Sequence, residues 1–161
     1  MSNSAAGSES LAARLDQLES RFAIIDLTTA YCHGFDNRDF DLFLSIWSED
    51  CVWNIGPPFG SFSGHAGIRE AVHDVLWPAW AESHHLSTNH LVEFQGVDDA
   101  TCVCDVDCIG TLTSGPECQM VGATYSDRLQ RRNGRWQIVQ RDVTIHYFNA
   151  VAGTVLQAPA D

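Results

Sequence analysis

A chain of 161 residues is most simply one domain, long enough to bury a real core and still leave room for a pocket. Its 21 acidic against 9 basic residues give a formal net charge of −12. Such a surface repels phosphate backbones and argues against nucleic acid or an anionic membrane as partner. All nine bases are arginine, and a chain without lysine has no Schiff-base nucleophile and no Walker-type phosphate loop.

The stretch Met1–Ser20 is polar and charged, without the apolar core of a signal peptide. No run approaches the roughly 18 apolar residues of a membrane span. The six cysteines are therefore expected as free thiols of a cytoplasmic protein. Residues 1–8 are expected to be disordered, 9–155 to form the single domain, and 156–161 to be a tail.

From Glu9 a helical period runs through Leu11, Leu15, Leu18, Phe22 and Ile25, then Leu27, Ala30 and Tyr31, with Gly34 as the expected stop. A second short helix is expected from Asn37 or Asp39, burying Phe40, Phe43, Leu44 and Trp47. Cys51–Ile55 reads as a strand ended by Gly56, Pro57 and Pro58, and 60–64 as a Gly/Ser loop. A third helix spans about His65 to Trp77, with Ile68, Val72, Val75 and Leu76 on its apolar side. Strands are expected at about 84–95, 101–113, 117–130 and 135–148, and Asn133-Gly134 is a strong hairpin signal. Helices first and an antiparallel meander last is an α+β order: three N-terminal helices packed on a curved, mainly antiparallel sheet. The concave mouth of such a sheet suits a small-molecule site.

Three residues carry chemistry without being close in sequence: Asp36 after Gly34, His85 at the start of a strand, and Arg141 on a strand. Alternation puts Arg141 on the face of Val139, Val143 and Ile145, where a guanidinium requires an acid; a structural ion pair would satisfy it as well as a site would. In Cys102-Val-Cys-Asp-Val-Asp-Cys108, Asp105 and Asp107 share one face and the three cysteines the other. If the acidic face points inward, Asp107 is a partner for an imidazole or a substrate hydroxyl. The cysteine spacing fits small buried hydrophobes rather than zinc, and the seven scattered histidines form no metal pattern. No metal and no cofactor are expected.

Ala23-Ile-Ile-Asp-Leu27, Asp36, Ser45-Ile-Trp47, Val75-Leu-Trp-Pro78, His85 with Thr88-Asn89, and Ile145-His-Tyr-Phe148 with Ala152-Gly153 occur in one order. That series resembles the hexachlorocyclohexane dehydrochlorinases of the SnoaL-like group, within the NTF2-like superfamily of α+β cones, over about residues 20–155. The resemblance implies His85 as a base that takes a proton from carbon, Asp36 as its orienting carboxylate, Arg141 at the family's arginine position, and a homotrimer. Tyr31 stands where the dehydrochlorinases have a lysine that meets the leaving chloride, and Asp107 where they are apolar. The set Tyr31, Asp36, His85, Asp107 and Arg141 resembles instead the bile acid 7α-dehydratases, with scytalone dehydratase more distant.

The expectation is thus a cofactor-free dehydratase acting on a hydroxy-ketone, plausibly a steroid, bile acid or other polycyclic. Tyr31 would bind the carbonyl or departing oxygen, Asp107 would assist the hydroxyl, and Arg141 would neutralise the acids. Phe35, Phe59, Trp77, Trp80 and Phe94 are candidates for the apolar wall around a small hydrophobic substrate. The alternatives are a dehydrohalogenase, a ketosteroid-isomerase-like isomerase, and a non-catalytic ligand-binding module.

Overall fold

The computed structural model describes residues 10–159, so the expectation of disorder at 1–8 lies outside the described residues. Helix α1 (Leu11–Asp36) starts at Ser10, whose hydroxyl accepts the Ala13 N–H at 3.2 Å. One face of it buries Ser20, Ile24, Thr28, Tyr31 and Phe35. Gly34 is not the stop: the helix runs through it to Asp36. The glycine is required by packing, since a Cβ there would lie 2.8 Å from the Phe43 nitrogen and 2.9 Å from its Cα. Phe43 belongs to α2 (Phe40–Ser45), which Asp39 caps by accepting the Leu42 N–H at 3.0 Å. Gly34 thus lets the two helix backbones touch.

Trp47, expected at the end of this second helix, instead opens strand β1 (Trp47–Gly56) and is fully buried. The Gly/Ser segment read as a loop contains a short edge strand, β2 (Gly60–Ser63), antiparallel to β1. Helix α3 (Gly64–Glu70) passes into a π-helical turn (Ala71–Leu76) and a last short turn, α4 (Trp77–Ala79), around Pro78. The meander follows as β3 (Trp80–Phe94), β4 (Asp99–Leu112), β5 (Cys118–Arg132) and β6 (Arg135–Ala150). Asn133 and Gly134 both have positive φ, 53° and 75°, the geometry of the tight hairpin that their sequence announces.

The six strands form one sheet in the order β2-β1-β6-β5-β4-β3, antiparallel throughout except where β1 runs parallel to β6. The helices cover its concave face, and the core of Ile24, Phe43, Ile46, Trp47, Trp53 and Ile138 fills the narrow end. This is the expected α+β cone. A register shift between Arg128 and Leu129 of β5, opposite Val139 of β6, changes which residues face in: Ile138 and Arg141 are both buried, and Val139 is not. Val139 therefore does not share a face with Arg141, whereas Val143 packs on the core as expected. Among the described residues no helix is long and apolar enough to cross a membrane.

Because the atoms crowding Gly34 are backbone, Gly34→Ala must push α2 away. Overpacking of this kind costs about 1–3 kcal/mol. Urea unfolding of the variant should show that loss of stability, and an unchanged midpoint would mean that the α1–α2 contact is not tight.

Candidate active site

Ser83 and His85 lie two residues apart on β3, so both turn toward the same face, and the intervening His84 turns outward. That face meets the last residue of α1. The Asp36 carboxylate accepts the Ser83 hydroxyl at 2.7 Å and the His85 backbone N–H at 2.7 Å. Its Oδ1 lies 2.6 Å from His85 Nδ1. Burial by itself would raise the Asp36 pKa, but the ring and backbone donors of His85, its charge, and Ser83 together hold the carboxyl below its usual range. An ionised carboxylate only accepts, so Nδ1 carries the proton in this contact, and in the neutral ring the lone pair is then on Nε2. The histidine and aspartate side chains are only 10% and 16% exposed, so water competes little for this pairing.

His85 also lines a cavity of about 80 Å³ inside the cone. Its wall is apolar: Phe35, Ile55, Phe59, Leu76, Trp80, Val106, Cys108, Val121, Ala123, Val143, Ile145 and Phe148. Its polar groups besides His85 are two phenols, Tyr31 and Tyr125. The Tyr125 hydroxyl donates to that of Tyr31 at 3.2 Å, which leaves the Tyr31 proton free to point at a ligand. Burial pushes the Tyr31 phenol well above its ordinary pKa, so it is a donor at neutral pH.

Behind the phenols lies Arg141, fully buried, with its guanidinium carbon 4.6 Å from the Tyr31 ring centre and 4.3 Å from that of Tyr125. Its Nε and one terminal nitrogen hold Asp127 in a fork at 2.8 and 2.6 Å. Burial opposes the guanidinium charge, but Asp127 more than offsets it and raises the pKa further. Arg141 therefore supports the phenols from beneath; it does not pair with Asp36.

Several expectations need correction. Asp107 faces outward, on the side opposite Val106 and Cys108, and accepts from the Tyr147 hydroxyl at 2.6 Å. Gly122 leaves room for the Tyr147 ring to lie across it. Asp105 is likewise outside, bonded to Asn89 and Thr124. The cysteines took the inner face because small apolar groups pack there; all six are free and buried. Trp77 packs under Phe35 and donates to its carbonyl at 3.0 Å, but it does not reach the cavity. Phe94 lies away from the cavity, against Trp136. Phe35, Phe59 and Trp80 are in the wall as expected. Ser83, Tyr125 and Asp127 were missed. Tyr125, Asp127 and Leu129 alternate on one face of β5, so an acid on an apolar strand face was the available sign of the partner Arg141 required. Among the described residues no three His, Cys, Asp or Glu side chains are grouped to hold a metal ion.

A model of the SnoaL-like domain matches residues 16–142. The chain belongs to the SnoaL-like family. It is 34% identical, over 90% of its own length and 94% of the relative's, to hexachlorocyclohexane dehydrochlorinase 1 of Sphingobium indicum. The crystal structure of a type 2 hexachlorocyclohexane dehydrochlorinase (LinA) superposes with a TM-score of 0.88 at 33% identity, covering 92% of this chain and 99% of the other. LinA-type3 from Novosphingobium barchaimii gives 0.86 at 33% identity, with 91% and 99% covered. A Mycobacterium tuberculosis protein of unknown function shares the fold at a TM-score of 0.71 and 21% identity, over 86% of this chain and 78% of its own.

Two outcomes follow for this SnoaL-like site. Asp127→Ala strands a buried guanidinium and should cost about 3–5 kcal/mol in urea unfolding, while Asp127→Leu with Arg141→Met should recover most of it. A small loss in the single variant would mean that the pair is open to water. The depressed Asp36 carboxyl contributes stability that is present above the unfolded value of about 3.9 and is lost as pH falls through the folded value. The stability gap between the protein and Asp36→Asn should therefore narrow as pH falls below about 5 and on through the folded value; a gap that is constant with pH would contradict it.

Proposed function

We propose that this SnoaL-like protein is a lyase that eliminates hydrogen halide from a compact halogenated ring compound, with His85 as the base. The observation that carries the reading is the Asp36–His85 pair, with its free Nε2 at an apolar cavity, in a chain so similar to dehydrochlorinases along most of its length. Nε2 takes a proton from carbon. The C–H electron pair becomes the new C=C bond, and the halide on the neighbouring carbon leaves with the C–X pair. Asp36 keeps the proton on Nδ1 and stabilises the imidazolium that forms. The Tyr31 hydroxyl is the donor available to the departing halide, and Arg141 lends the phenols a positive background. The imidazolium then loses its proton to solvent, and the base is restored.

Two features favour halide over the dehydratase reading. Asp107, which was to assist a leaving hydroxyl, is outside the cavity. The cavity of about 80 Å³, at roughly 10–15 Å³ for each enclosed water, is a space of about six waters. A small apolar space of this kind suits one compact ring better than a large polycyclic. One observation still favours water as leaving group: two phenols stand at the cavity where the dehydrochlorinases are expected to have a lysine, and phenols suit an oxygen. In that second reading the substrate is a small hydroxy-ketone with the same base.

Halide release from chlorinated cyclohexanes, measured beside water loss from cyclic hydroxy-ketones of similar size, decides between them. His85→Ala should lower the productive rate about 10²–10⁴-fold while unfolding as the parent does. Tyr31→Phe should cost up to about 2.7–4 kcal/mol in kcat if its hydroxyl meets the leaving group. Halide release undiminished in His85→Ala would end the proposal.

A further inference from the structure

Helix α1 has two apolar faces, and the fold uses only one. Ser20, Ile24, Thr28, Tyr31 and Phe35 seat it on the cone. On nearly the opposite side, Leu11, Leu15, Leu18 and Phe22 stand in solvent at 79%, 51%, 51% and 60% exposure. Large side chains this exposed, in line along a helix, form a surface that a single copy leaves unused. Their spacing is four, three, four, and the next step of three reaches the half-buried Ile25. That is the alternation of a heptad seam, with Leu15 and Phe22 at one core position and Leu11, Leu18 and Ile25 at the other.

The residues flanking the stripe are charged in a matching order. In this register Arg14 and Arg21 precede the core position held by Leu15 and Phe22, and Glu19 and Asp26 follow the one held by Leu18 and Ile25. Between parallel, in-register helices the first kind of position meets the second five residues further along the neighbour. Arg14 then faces Glu19 of the other copy, and Arg21 faces Asp26, with opposite signs at both places. Among the described residues, Arg14, Glu19 and Asp26 make no ion pair within their own chain. Arg21 is turned onto β3, donating to the Val92 carbonyl at 3.1 Å with its guanidinium carbon 5.8 Å from the Phe94 ring centre, so Arg14–Glu19 is the pair most open to form.

We infer that the Leu11–Ile25 stripe of α1 is a self-association surface, on which the same helix of a second copy lies parallel and in register. The cone of each copy hangs from the opposite face of its helix, so the seam is open to a neighbour. A seam of about two heptads is short, so the contact is expected to be reversible and concentration-dependent. The inference is independent of the elimination chemistry.

A single introduced thiol tests it, because all six native cysteines are buried. In register, Leu11→Cys meets itself across the seam, and mild oxidation of the full chain should give a disulfide-linked dimer. Gln17→Cys, exposed on the same helix but off the stripe, should cross-link far less. Sedimentation adds the charge test: Arg14→Glu should weaken association, and adding Glu19→Arg should restore it. Equal cross-linking at both positions, or association unchanged in Arg14→Glu and in Leu15→Glu, would overturn the inference. So would a chain that stays monomeric at high concentration with Leu11→Cys unlinked.

Discussion

The carboxylate of Asp36 receives three hydrogen bonds from β3, and much of the molecule's organisation hangs on them. It sits at the C-terminus of a long helix, where the backbone carbonyls make a negative charge unwelcome. The donors of Ser83 and His85 offset that cost, so the helix end and the sheet edge are held together by the group that also orients the His85 ring. One interaction thus joins α1 to β3, favours the Nδ1–H tautomer and fixes the ring of a residue that lines the cavity. Gly34, two residues earlier, serves the same end by letting α2 close against the last turn of α1.

The second constraint is electrostatic and lies beneath the cavity. A fully buried arginine is tolerated because Asp127 holds it in a fork and two aromatic rings face it. Such an ion pair is weak evidence for stability, since desolvation consumes most of its attraction. Its effect here is positional: it fixes the two phenols whose hydroxyls supply the polar wall. The cavity therefore combines an imidazole, protonated phenols and an apolar lining, with the Arg141–Asp127 charges set behind its surface. In the elimination proposed above, a proton leaving carbon and an anion leaving with an electron pair would both be better served there than in water.

The order of helices and strands was legible because periods of 3.6 and 2 and the Asn133-Gly134 turn are local signals. His85 and Asp36 were legible through the resemblance, since their contact spans 49 residues and no spacing rule reports it. Elsewhere, local reading failed for tertiary reasons. Gly34 looks like a helix stop, and only the approach of Phe43 shows why it stands inside the helix. Alternation correctly separated Asp107 from the cysteines but could not say which face was inner, and buried thiols decided it. The shift opposite Val139 broke the parity that put this residue beside Arg141. The Leu11–Phe22 period announced the helix, but the residues that seat it on the sheet lie on its other side.

The central claim is that Asp36 orients the His85 ring so that, in its neutral form, the proton is on Nδ1 and Nε2 is left bare. Nitrogen-15 NMR of the histidine side chains, at a pH about two units above the ordinary histidine pKa of about 6.5, reads this without any substrate. The His85 ring should show a protonated Nδ1 and a bare Nε2, and the preference should disappear in Asp36→Asn. A His85 ring protonated on Nε2, or one whose tautomer is unaffected by Asp36→Asn, would contradict the account.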